Sequence, residues 1–171
     1  MVPFFDAPQF YSLEKIAAST AVFNTAFQAG ISLPPPEVPF QVLVQDATVA
    51  ANTTLYLPIY VVDNSGIPPV GFPASMANQA ADAAFLDSYI FNLYGVSSFL
   101  VQVDGQTTVL DDHYIVGVDT APLMDGTPAG NHYIVSECFL SPLSKGTHTV
   151  GIGGVIGGSD VVFVSYQVIV K

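Results

Sequence analysis

Fourteen carboxylates against three lysines and no arginine make oxygen-donor chemistry the first thing this chain offers. Turn-like stretches carry Asp63-Asn64-Ser65, Asp111-Asp112, Asp119 and Asp125. These are hard oxygen ligands, of which Ca²⁺ takes about six to eight. With so few cations to neutralise them, Asp63, Asp111, Asp112 and Asp125 are the candidate Ca²⁺ ligands. No EF-hand loop or Gly-Asp repeat organises them, so aspartates solvated on turns are the simpler account.

The histidines, His113, His132 and His148, each fall at or near the start of an expected strand. Three imidazoles suit a zinc-like centre only if their strands align. No pair has close ligand spacing, so ordinary strand-end histidines are the favoured reading. Cys138 is the only cysteine, which excludes an intrachain disulfide. It lies in an apolar run without a neighbouring cation to lower its pKa, and is expected to be a buried, inert thiol. Ser, His and Asp are all present, but no Gly-x-Ser-x-Gly elbow occurs and Cys138 has no sequence-adjacent base. Catalysis by residues converging from different strands is the one enzymatic route left open.

Gly153-Gly154 and Gly157-Gly158 lack the lysine and following helix of a phosphate loop, and read as strand kinks or tight turns. Asn52-Thr53-Thr54 is an N-glycosylation sequon ahead of a strand, with meaning only in an exported protein. Eight Tyr and twelve Phe include enough rings for a carbohydrate platform. A β core also consumes Phe and half-buries Tyr, and the absence of Trp weakens the sugar reading.

The elements that must position these residues are mostly strands. From His132 to Lys171 the chain alternates short β-branched and aromatic runs with Gly, Pro and Ser, predicting three consecutive strands, the last closing the domain. Earlier strands are expected over 40–46, 53–63, 98–103, 106–110 and 113–118. Pro58 removes a backbone donor and belongs at an edge or a bulge. Asp104-Gly105 between two β runs predicts a type I′ hairpin, because both central residues of that turn need positive φ. An alanine-rich stretch after Ser75, over 76–87, predicts a helix, and Met124–Gly130 a long turn. Residues 12–28 predict another helix that Gly30 stops, and Pro34-Pro35-Pro36 a stiff spacer.

The expected fold is therefore mainly β: a two-sheet β-sandwich or jelly roll with one or two short helices and an N-terminal arm. Residues 1–36 form the arm, helix and spacer, and residues 37–171 the sandwich domain. An immunoglobulin-like arrangement is the close alternative, although the core Trp and disulfide of antibody-type domains are both missing.

Composition limits the partners. Charged residues make up 10% of the 171 residues, against about 25% in an ordinary soluble domain. Three lysines cannot build a phosphate-binding surface, so nucleic acid is not a partner, and an anionic membrane surface is disfavoured for the same reason. No apolar run of about eighteen residues exists to span a bilayer as a helix. The first residues lack the positive segment of a signal peptide, so an exported protein would carry its signal ahead of this numbering. A surface this poor in ions is either an uncharged polar skin or one covered by neighbours, as in permanent assemblies.

Four phrases carry a resemblance: Ala51-Asn-Thr-Thr-Leu-Tyr-Leu-Pro58, Ala84-Phe-Leu-Asp87, Val103-Asp-Gly105, and Pro142-Leu-Ser-Lys-Gly-Thr-His-Thr149 with Gly153-Gly154. In this order, over roughly residues 40–171, the chain resembles a group of uncharacterised exported bacterial β-sandwich proteins. The resemblance implies export and a β-sandwich, and brings no catalytic residues.

The function expected is that of a non-enzymatic extracellular structural protein, assembling with itself into an oligomer or filament by strand addition or apolar interfaces. The aromatic arm, with Phe4, Phe5, Phe10 and Tyr11, and the strand over 160–170 are the candidate assembly elements. The alternatives are an extracellular module binding a glycan or small ligand through loops at one end of the sandwich, and a Ca²⁺-stabilised surface domain. No other cofactor is expected.

Overall fold

Alternating apolar runs separated by turn residues bury one stripe per strand only when two sheets face each other, and that is the architecture adopted. The computed structural model describes residues 40–64, 67–73, 78–119 and 132–171. The elements in chain order are β1 (Gln41–Val42), β2 (Ala47–Val49), β3 (Leu55–Asp63), α1 (Gln79–Tyr94), β4 (Val96–Val103) and β5 (Gln106–Val109). A 3₁₀ turn (Asp112–Tyr114), β6 (Ile115–Asp119), β7 (His132–Leu140), β8 (Gly146–Ile156) and β9 (Ser159–Val170) follow. The two mixed sheets have the orders β1-β3-β7-β6 and β2-β9-β8-β4-β5. The protein is a two-sheet β-sandwich with one covering helix among the described residues.

The main core fills the space between the layers. Leu57, Ile134, Cys138 and Leu140 come from the four-stranded sheet, Phe99, Val101, Val150, Ile152 and Val168 from the five-stranded one, and Leu86 and Ile90 from α1. Cys138 is fully buried there, as its apolar run predicts. β7 is buried along its whole length. Its other face contributes Tyr133, Val135 and Phe139 to a second cluster with Tyr56, Val116 and Val118, against which Phe40 packs. The four-stranded sheet thus has apolar side chains on both faces, which explains why His132–Leu140 reads as a continuous rather than an alternating run.

Several boundaries differ from the sequence expectation. The strand expected over 40–46 is two short pieces: β1 pairs in parallel with β3, and β2 pairs in parallel with β9 of the other sheet. The chain crosses between layers at residues 43–46, and the apolar pattern does not register the change because Leu43 is buried at the crossing. The helix expected over 76–87 starts later and runs on to Tyr94. Asn78 caps it by accepting from the Ala81 amide at 3.2 Å, and Gly95 ends it in the left-handed conformation at φ 71°. Its second half, Ser88-Tyr-Ile-Phe-Asn-Leu-Tyr94, is rich in aromatic residues and reads as β-like. Burial of Leu86 and Ile90 against the sheets outweighs that local preference.

Both expected turn features are present. Asp104 and Gly105 have φ of 50° and 81°, the type I′ signature. Pro58 lies beside a register shift, with Pro58 facing Glu137 and Tyr60 facing Ser136, so Ile59 is the extra residue of a bulge. The arm, the expected helix over 12–28, the spacer, the boundary at 36/37 and the turn over 124–130 lie outside the described residues.

Candidate functional site

The candidate metal ligands are dispersed. Asp63 ends β3 opposite Tyr133, whereas Asp111 and Asp112 precede β6 and lie towards the other end of the four-stranded sheet. Asp125 lies outside the described residues. The histidines are likewise separated. His113 sits on the exposed 3₁₀ turn, His132 begins β7 and His148 belongs to the opposite sheet. Among the described residues no group of three or more His, Cys, Asp or Glu is placed to hold a metal ion.

His132 instead organises a buried polar network that the sequence does not disclose. Its Nδ1 is 2.7 Å from Asp119 Oδ1 and its Nε2 is 3.1 Å from Asp82 Oδ1. The ring and Asp82 are buried, while Asp119 is half-exposed. Each contact is a hydrogen bond when one proton lies between its two heavy atoms. Asn64 accepts from the His132 amide at 2.8 Å, and Phe72 packs edge-on against the ring at 5.5 Å. The network joins α1, β6, β7 and the segment after β3. Both ring nitrogens face carboxylates, so none is left to take a proton from a nucleophile. The arrangement positions elements and is not a Ser–His relay.

His148 is similarly engaged. Its Nδ1 lies 2.7 Å from Asp104 Oδ2 and its Nε2 lies 2.8 Å from the Ser144 carbonyl. Asp104 also accepts from the Thr149 amide at 2.9 Å. The hydrogen bond from His148, then that amide, hold the Asp104 carboxyl below its ordinary range. Asp104, then the Ser144 carbonyl, hold the imidazole above its own. The contact ties the β4–β5 turn to β8.

A cleft of about 270 Å³ opens where α1, β4, the segment after β5 and β6 converge. Asp87, Asp111 and Asp112 line it, with Phe99, Leu110 and Ser136 among its other walls. Burial, then the neighbouring Asp112 charge, push the Asp87 carboxyl above its ordinary range. Asp87 and Ser136 carry no sequence signal: one sits in an Ala-rich helix and the other in an apolar strand.

Among the described residues one strand edge is left largely uncovered. β9 pairs with β8 along its length, but on its other side β2 covers only Val168–Val170. Among the described residues Ser159–Gln167 therefore form an open edge, at whose end Asp46 accepts from the Gln167 amide at 2.8 Å. Val161, Phe163 and Val164 are 37%, 52% and 39% exposed on this stretch. Asp160 is its only charged residue. The register shift between Ile152 and Gly153 leaves Phe163 as the unpaired bulge residue. Asn52 of the sequon sits exposed in the turn between β2 and β3 at φ 69°, where an attached glycan would meet solvent.

The fold defines a two-sheet β-sandwich, whose β9 edge is open over Ser159–Gln167 among the described residues. No protein-family model, no curated protein and no solved structure matches the chain. Among the described residues no helix is long and apolar enough to cross a membrane.

Proposed function

We propose that the protein is a non-enzymatic, extracellular structural protein that associates with copies of itself by strand addition along β9. One observation carries the reading: Ser159–Gln167 is a long edge whose exposed side chains include Val161, Phe163 and Val164. Soluble proteins blunt such edges with lysine, proline, strong bulges or a covering element. Here no lysine or proline occurs between Ser159 and Val170, and the single bulge leaves Phe163 exposed. A second copy is the occupant, since two antiparallel β9 edges are self-complementary and form an isologous pair.

The scarcity of surface charge supports the same reading, because apolar contact removes the need for an ionic skin. The engagement of both nitrogens of His132 and of His148 supports a structural rather than a catalytic role for these residues. Placement outside the cell rests on the resemblance to exported β-sandwich proteins. The test is the molar mass by light scattering across a concentration series, for the protein and for Val161→Lys. The protein associates and the variant is a single subunit. A protein that stays a single subunit at high concentration removes the proposal.

A further inference from the structure

We propose that the cleft lined by Asp87, Asp111, Asp112, Phe99, Leu110 and Ser136 binds a small organic cation, a primary ammonium on a short apolar body. The proposal is independent of strand addition. Two observations carry it. The first is charge: three carboxylates share the lining and no lysine joins them. Burial, and after it the neighbouring Asp112 charge, raises the Asp87 carboxyl. His113 contacts Asp111 at 3.2 Å, but it lies on the exposed turn and outside the lining.

The second is Ser136. Its hydroxyl is buried, has no hydrogen-bond partner and belongs to the cleft wall. Buried hydroxyls are normally satisfied, so an orphan in the wall of a cleft calls for a partner. Along β7, Ile134 and Cys138 point into the space between the sheets, so the alternation of the strand aims Ser136 there too.

The chemistry selects the ligand. An ammonium has three donors and no acceptor, matching a site of carboxylate oxygens and one hydroxyl that can accept. The walls at Phe99 and Leu110 suit a short hydrocarbon body, and the Phe99 ring can add cation–π attraction. A hard metal ion would want an all-oxygen shell, and no three-ligand group is placed to begin one among the described residues. The cleft, at about 270 Å³, falls just below the range of about 300–1,000 Å³ typical of drug-sized ligands, so its occupant is fragment-sized.

The experiment titrates the full chain at low salt with n-butylammonium, with neutral n-butanol and with Ca²⁺, following amide shifts by NMR and heat by calorimetry. The expected result is saturable butylammonium binding with shifts centred on Asp87, Asp111 and Ser136. Butanol binding should be far weaker, and Ca²⁺ should fail to displace the amine at equal concentration. Asp112→Asn, on an exposed residue, should weaken binding about tenfold or more through loss of a charge-assisted hydrogen bond. Ser136→Ala should weaken it less and leave the fold intact. Equal binding of butanol, displacement by Ca²⁺, no saturation, or wild-type affinity in both variants would each overturn the proposal.

Discussion

The carboxylate of Asp82 lies against the α-carbon of Gly117, so that a β-carbon at position 117 would collide with Oδ2. The same added atom would lie 2.8 Å from Asp82 Cγ and 3.3 Å from His132 Cε1. Gly117 is therefore the gap in β6 through which α1 inserts a carboxylate to reach the histidine of β7. Gly117→Ala should push Asp82 off His132 and leave buried polar atoms without partners. The expected loss of unfolding stability is about 1–3 kcal/mol, the scale for leaving a buried hydrogen-bonding group without its partner or overpacking a core. Urea denaturation followed by circular dichroism measures it. A change below ~0.5 kcal/mol, the size of an ordinary surface substitution, would show that the network carries no structural weight.

The pair joining the β4–β5 turn to β8 has a pH signature with a defined sign. The folded pKa of His148 is raised above its ordinary 6.5. Its contribution is thus complete below that value and is lost as pH rises through the folded pKa. The folded pKa of Asp104 is lowered below its ordinary 3.8. Its contribution is present above that value and is lost as pH falls through the folded pKa. Stabilisation by the pair is therefore greatest between about pH 4 and 6.5. His148→Gln should lower the melting temperature most inside that window, with the two proteins converging at high pH. A constant difference across the range would contradict the charged pairing.

Much of the β framework is legible in the sequence because its punctuation is chemical. Asp104-Gly105 permits the positive φ of a type I′ turn, and β4 and β5 follow on either side. Gly157-Gly158 does the same between β8 and β9, with φ of 57° and 80°. The crossing of the chain between sheets at 43–46 is illegible, because a buried Leu43 looks the same whichever layer it faces. The polar sites are hidden for a related reason. Asp82 and Asp87 sit in an alanine-rich helix whose sequence announces a surface element, and only the packing of α1 against β4 and β6 turns them inwards. Of the acidic residues expected to converge on a metal, Asp63 lies towards one end of the four-stranded sheet and Asp111 and Asp112 towards the other. Spacing along a strand fixes which face a residue occupies, not how far apart two turns end up.

Two routes to strand addition predict different outcomes. Phe4, Phe5, Phe10 and Tyr11 of the N-terminal arm lie outside the described residues, whereas β9 presents its apolar edge directly. Deleting residues 1–11 should leave the assembly mass unchanged in light scattering, while Phe163→Lys should reduce it to a single subunit. Because Phe163 is exposed, the lysine should alter the unfolding midpoint little, within about 0.5 kcal/mol in stability. The opposite pattern, assembly lost with the arm and kept in Phe163→Lys, would transfer the interface to the arm.

The shape of that edge depends on a glycine in the neighbouring strand. At Gly153 a β-carbon would strike the Val161 carbonyl oxygen and come within 2.9 Å of the Val161 carbonyl carbon and of Val162 Cα. These are backbone atoms that no rotamer change can move aside. Gly153→Ala should therefore force β8 and β9 apart at the bulge that displays Phe163, at a cost of roughly 1–3 kcal/mol. Gly157→Ala is the matched control: it has open space around the added atom but a φ of +57°, so it meets only the conformational penalty, about 1–2 kcal/mol. Hydrogen exchange separates the two by location as well as by size. Gly153→Ala should accelerate exchange along Val161–Val164 and reduce self-association, while Gly157→Ala should loosen only the turn. If the two variants exchange alike and assemble alike, the close approach of β8 and β9 does not set the geometry of the edge.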